Sequence, residues 1–266
     1  LNRNRAYGNI CSEAHYAACR QIGDEGVVLL QNKNRILPLD ANKYKHILVV
    51  GENAIRSLTK GGGSSELKTK KDVTPLEAIR AMYGSNVDYA QGYLSGRAMY
   101  DHVDDVSIDD LARLSSEAVE KAKNADLIIY VGGMNKNTKQ DCENSDRDDY
   151  NLSYGQNELI AKLAKVCPNI IAVMVSGNAY AMPWKNDVKA IVQAWYLGSE
   201  FGNTLCDILS GEVNPSGKLP FSFVKKLDDC PAIALGKESY PGVNKQQTYK
   251  EGILVGYRWY DLKKVK

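Results

Sequence analysis

Six charged side chains fall within nine residues between positions 141 and 149: Asp141, Glu143, Asp146, Arg147, Asp148 and Asp149. They follow the apolar run "LIIYVGG" and precede "YGQNELI", where a helix resumes. Carboxylates so close together can do proton chemistry if one is partly withdrawn from water. Hydrolysis of a glycosidic bond needs a protonated carboxyl to donate to the leaving oxygen and a second carboxylate across the ring. A Glu on a loop with some apolar surroundings can serve as the donor. Composition alone favours the plainer reading, a solvated acidic loop.

Other chemistries find less support. The stretch "GENAIRSLTKGGGSS" lacks the G-x-G-x-x-G of a dinucleotide site, and there is no Walker Lys-Ser/Thr. Its "GGGSS" run can cradle an anion through backbone amides, although a tight structural loop is the preferred reading. Ser176 in "VSGNAY" is not a nucleophile elbow, and His15, His46 and His102 complete no serine triad. The six cysteines (Cys11, Cys19, Cys142, Cys167, Cys206 and Cys230) are scattered without a C-x-x-C pair or a nearby His cluster, so no zinc site is expected. Cys142 lies in the charged loop, but no nearby His would activate it. A net charge of +2 from 34 basic and 32 acidic residues excludes a dedicated nucleic-acid surface or a polybasic membrane patch. The longest apolar runs fall far short of the roughly 20 residues that span a bilayer, so no membrane segment is expected.

The elements that must position these groups are legible as alternation. "SEAHYAACRQIGDEGVVLL" has helical spacing from an N-cap at Ser12 through Leu30. "YKHILVVGENA" contains a compact β-branched run bounded by Gly51 that reads as a strand buried on both faces. In "TPLEAIRAMYG", Thr74 at the N-cap, Pro75, Glu77 and the closing Gly84 mark both ends of a short helix. "NVDYAQGY" reads as the next strand. Helix-then-strand order recurs with "DDLARLSSEAVEKAKNAD" into "LIIYVGG", "YGQNELIAKLAKVCPN" into "IIAVMVSG", and "AMPWKNDV" into "KAIVQAWYLG", and then "FGNTLCDILSGEVNPSG". Such alternation implies an α/β fold, one mostly parallel sheet with helices on both faces. The terminal "GILVGYRWY" reads as an edge strand or hairpin. Ligands of such sheets meet the carboxyl ends of the strands, so the loops 51–67, 132–154, 176–184 and 196–202 should share a rim.

The runs "EGVVLLQNKNRILPLD", "VVGENA", "GGGSSEL", "TPLEAIRAMYG", "AIVQAWYLGSEFGNTLCDILSGEVNPSGKLPFSF" and "YKEGILVGYRWYD" resemble, in order, the second domain of glycoside hydrolase family 3, the β-glucosidase and β-xylosidase family. The resemblance implies a six-stranded α/β sandwich that works against a TIM-like barrel of the same polypeptide. Residues 1–30 are then expected to be a linker and first helix following that barrel, and residues 31–266 the sandwich domain; the N-terminus, without Met or signal core, reads as a cut in a longer chain. The implied activity is a retaining β-glycosidase acting on β-linked glycosides or oligosaccharides, with the nucleophile Asp on the barrel. The family's acid/base Glu stands four residues before an Arg, which Glu143 and Arg147 match. Asp141 is the alternative. Arg147 and Trp195 are the substrate-binding candidates, though core packing is the favoured reading of Trp195 and Tyr196. Gly61 to Ser65 approach the active-site mouth or form a structural turn. "NPSG" (Asn214 to Gly217) reads as architecture, and Arg258, Trp259 and Tyr260 as packing or interdomain contacts. A noncatalytic carbohydrate-binding or interaction module of the same fold is the rival reading.

Overall fold

The structure, a computed structural model, describes residues 8–40, 42–59, 67–95, 106–143 and 146–265. The first helix, α1 (Glu13–Gly26), opens on Ser12, whose side chain accepts from the His15 amide while His15 reaches back to the Ser12 N–H. It ends at Gly26, and the apolar residues that follow form a strand, β1 (Val28–Asn32), rather than the last helical turn expected as far as Leu30. The correction has a tertiary cause. β1 lies antiparallel against β6 (Ala190–Gln193), a partner that helical spacing cannot reveal.

β2 (Ile47–Val50), α2 (Pro75–Tyr83), β3 (Val87–Ala90), α3 (Ile108–Ala122), β4 (Leu127–Gly133), α4 (Gln156–Val166), β5 (Ile170–Val175) and α5 (Phe201–Ser210) complete the body. The six strands form one sheet in the order β1-β6-β5-β4-β2-β3, parallel throughout except at β1. α2 begins as its sequence dictates, with Thr74 and Glu77 closing a capping box around Pro75. The connection from β5 to β6 carries no helix over "AMPWKNDV", contrary to expectation. Pro183 opens a series of turns there, while Trp184 is buried and donates its indole N–H to Asn157 Oδ1 at 2.8 Å. The expected strand at "GILVGYRWY" is absent too. Gly252 and Gly256 adopt positive φ and turn the chain into a short helix, α7 (Tyr257–Lys263), beyond α6 (Pro231–Ala234).

Helices cover the sheet on both faces. Leu127, Ile129 and Val131 of β4 join the layer with Leu76 and Ile79 of α2 and Leu205 and Leu209 of α5. Ile128 and Tyr130 face the opposite layer, with Ala118 of α3 and Leu159 and Leu163 of α4. The α1–α5 contact is held by a bidentate pair, Arg20 Nε and Nη2 each 2.5 Å from the Asp207 carboxylate. "NPSG" is architectural as expected: the Gly217 N–H donates to Val27 O at 3.0 Å, and any Cβ at Gly217 would collide with Gly26 O. At the far edge, β3 is closed by side chains. The Tyr89 N–H donates to Asp88 Oδ1 at 2.6 Å, and Lys121 Nζ donates to Tyr89 O at 2.9 Å.

Strands β2 and β4 leave the sheet by the same device. Gly51 (φ +126°) turns over β4 against Val131 O, and Gly133 (φ +116°) turns over β5 against Val175 O. A Cβ at either site would meet backbone oxygen in a conformation that L side chains rarely adopt. Gly133→Ala should therefore cost about 2 kcal/mol or more, read as a lowered urea midpoint. Alkali should also weaken the fold. Burial, then the nearby Asp207 carboxylate, pushes the Cys206 thiol up to about 12. An unfolded thiol ionises near ~8.5, so above that pH the unfolded state holds fewer protons than the native one. Stability is complete below about pH 8.5 and falls as pH rises towards about 12, and Cys206→Ala should flatten that decline in melting temperature.

Candidate active site

The residues that follow β4 are fastened at both ends. At the near end, the Met134 N–H donates to Val175 O at 2.7 Å, and Asn53, just after β2, donates its amide to Met134 O at 3.1 Å. At the far end stands Gln156, the first residue of α4 and fully buried. Its Oε1 accepts from the Gly133 N–H and the Tyr130 hydroxyl, both at 2.8 Å, while its Nε2 donates to Gly133 O and Ser153 O. One amide thus ties the end of the strand to the start of the helix. No charge pattern marks it; the only sequence signal is a Gln directly after Gly155.

Between these ends the loop folds back on itself. Asn135 Oδ1 accepts from the Asn137 N–H at 2.8 Å, Asn135 O accepts from the Asp141 N–H at 3.0 Å, and Asn137 donates its amide to Ser95 O at 2.6 Å. Asp141 is buried. Its Oδ2 accepts from the Gly177 N–H at 2.6 Å and from the Tyr196 hydroxyl at 2.9 Å, and its Oδ1 accepts from the Asn178 amide at 2.8 Å. Burial, and then the adjacent carboxylate, raise the Tyr196 hydroxyl well above the ordinary tyrosine value, so it stays a donor. Lys136 Nζ sits 4.1 Å from the centroid of the Tyr196 ring.

Arg147 makes a second attachment. It is half-buried, donates from Nη2 to Ala179 O, and lies with Nη1 3.8 Å from the Met134 sulfur. Between these two attachments Cys142 is half-buried and Glu143 is exposed. Next to it, Asp146 accepts from the Tyr240 hydroxyl, and Cys142, Asp146, Arg147, Asn178, Leu227, Ile233 and Tyr240 line a cleft of about 350 Å³. Asp148 pairs with Lys139 at 2.6 Å in solvent, an interaction worth little.

The expected rim exists. The loops after β4, β5 and β6 meet at Asp141, and the one after β2 joins them through Asn53. Gly61 to Ser65 lie outside the described residues. Trp195 is placed elsewhere: its indole N–H donates to Gly26 O at 2.9 Å, its ring packs edge-on against Phe221, and it lines an apolar groove of about 510 Å³ beside α1. Arg147 and Asp141 are thus brought together on the adjacent Ala179 and Asn178, Glu143 is exposed between them in sequence, and the Trp195 indole lies elsewhere. Among the described residues no group of three or more His, Cys, Asp or Glu is arranged to hold a metal ion, and no helix is long and apolar enough to cross a membrane.

An open, two-faced α/β sandwich with a carboxylate-bearing loop across its strand ends is the class of domain that these features define. Residues 27–257 match the glycosyl hydrolase family 3 C-terminal domain, and the chain belongs to that family. It is 54% identical over 270 residues to Beta-glucosidase BoGH3A of Bacteroides ovatus, covering 100% of this chain and 36% of that protein. It is 33% identical over 274 residues to the Exo-alpha-(1->6)-L-arabinopyranosidase of Bifidobacterium breve, covering 98% of this chain and 34% of that protein. Among solved structures, DesR, a beta-glucosidase from Streptomyces venezuelae in complex with D-glucose, superposes with a TM-score of 0.87 at 25% identity, over 100% of this chain and 45% of that one. The chain spans about a third of the length of these two curated relatives.

The two ends of the loop depend on Gln156. Gln156→Leu keeps the volume but strands the buried Gly133 N–H and C=O, and should cost about 3 kcal/mol or more in chemical unfolding.

Proposed function

We propose that this chain is the acid/base half of a retaining β-glycosidase, hydrolysing terminal β-linked glucosides or xylosides with a nucleophile carried on a barrel domain of the same polypeptide. Family membership and the glycosidase relatives support the reading. The observation that carries it is the division of labour between two carboxylates two residues apart. Asp141 is buried with its two oxygens accepting from three donors, so it faces the domain's own loops. Glu143 is exposed between the attachments at Asp141 and Arg147, as a group must be if it is to reach a substrate held on another surface.

The chemistry follows from that placement. With a β-glycoside between the two domains, the Glu143 carboxyl donates its proton to the glycosidic oxygen while the barrel carboxylate attacks the anomeric carbon. The Glu143 carboxylate then takes a proton from water as the glycosyl ester is hydrolysed. A retaining pair stands about 5–5.5 Å apart, so docking has to bring the barrel carboxylate within that distance of Glu143. Arg147 acts by bracing the loop on Ala179. No metal or organic cofactor enters the mechanism. The sugar ring would lie chiefly against the barrel, with the leaving group towards the cleft beside Cys142 and Tyr240.

In the full-length enzyme, Glu143→Gln should lower kcat/KM on unactivated β-glycosides by about 10²–10⁴. On a dinitrophenyl glycoside, azide should restore turnover and give a β-glycosyl azide, because a small anion can replace the missing base in the second step. Full activity in Glu143→Gln would refute the assignment. Azide rescue of Asp141→Asn in its place would move the role to Asp141.

A further inference from the structure

We infer that Asp141, Asn178 and Tyr196 form a positioning clamp that sets where Glu143 can deliver its proton; the inference rests on the reading of Glu143 as the acid. Asp141 is buried two residues before the exposed Glu143, and its three donors come from two other strand-end loops. Gly177 and Asn178 follow β5, and Tyr196 follows β6. The acid loop follows β4. A single carboxylate therefore fixes the height of the acid relative to three adjacent parallel strands, whose register the sheet itself determines.

The donors are held as firmly as the acceptor. Ser176 Oγ donates to Asn178 O at 2.8 Å, and the buried Gln193 at the end of β6 donates its amide to both Ser176 O and Ser176 Oγ at 3.1 Å. Gln193 Oε1 in turn accepts from the Tyr180 hydroxyl at 2.9 Å. The β5–β6 loop thus has its shape before it meets Asp141. Asp141 is a positioning residue by this account, since its own oxygens are occupied and it acts through the backbone it holds.

Such a clamp predicts a signature that general destabilisation does not produce. A misplaced acid harms substrates in proportion to their need for protonation of the leaving oxygen, and a misplacement near 1 Å can cost about 10²-fold. In the full-length enzyme, kcat/KM would be measured over aryl β-glycosides from dinitrophenyl to phenyl for Tyr196→Phe, Asn178→Ala, Asp141→Asn and, as reference, Glu143→Gln. The two milder variants each remove one donor and leave the carboxylate in place. Each should lose about tenfold on the phenyl glycoside and less than about twofold on the dinitrophenyl one, with Asp141→Asn losing more in the same direction. An equal loss across the series in Tyr196→Phe and Asn178→Ala, with Glu143→Gln still dependent on the leaving group, would overturn the clamp alone. If Glu143→Gln itself shows no such dependence, the acid assignment falls, and the clamp with it.

Discussion

β4 runs through the middle of the molecule with all seven residues buried, odd-numbered side chains to one layer of helices and even-numbered ones to the other. A polar side chain mounted on that strand would have to lose its water without a partner, at a cost of several kcal/mol by transfer estimates of about 2–7 kcal/mol. The polar groups that do occur there are matched, as with the Tyr130 hydroxyl on Gln156. Burial on both faces thus confines chemistry to the strand ends. The chain must leave the sheet abruptly to reach water, and Gly51 and Gly133 are where it does so.

Once outside, the loop after β4 reaches the hydrophobic layer only near its ends, at Met134 and Leu152, and the stretch between them is ordered by hydrogen bonds made at small buried sites. Gln156 and Asn53 fasten the base, Asp141 the middle and Arg147 the outward side. Buried polar networks are stabilising only when every member is satisfied. Both oxygens of Asp141 have donors, and so do both functional atoms of Gln156 have partners. The result is a loop fastened at several points, with Glu143 exposed beyond Asp141.

Much of this was legible beforehand where local signals and tertiary structure agree. α2 is announced at both ends by Thr74, Pro75, Glu77 and Gly84, and the apolar runs of β4 and β5 have no other reading. The failures share one physical origin, a partner far away in sequence. β1 was hidden because Val28 and Leu29 pair with Gln193 and Val192. The helix expected over residues 181–188 gave way because Trp184 is drawn into the core by Asn157. The terminal "GILVGY" looked like a strand until Gly252 and Gly256 took positive φ, leaving Ile253 and Val255 exposed. In the loop, an Asp reads the same whether it is solvated or buried. Its distinction from Glu143 arises only from Gly177, Asn178 and Tyr196, which reach it from 36, 37 and 55 residues away.

The far edge of the sheet carries a separate consequence. An outermost strand normally offers bare amides and carbonyls on which a second polypeptide can add a further strand. At Tyr89 of β3 both outward groups are already engaged, the N–H by Asp88 and the carbonyl by Lys121. A would-be neighbour must strip away a salt-bridged pair before it gains a ladder bond. At Tyr89 this margin of the described sheet is therefore guarded by its own side chains against the edge-to-edge stacking through which crowded β-rich proteins turn into aggregates.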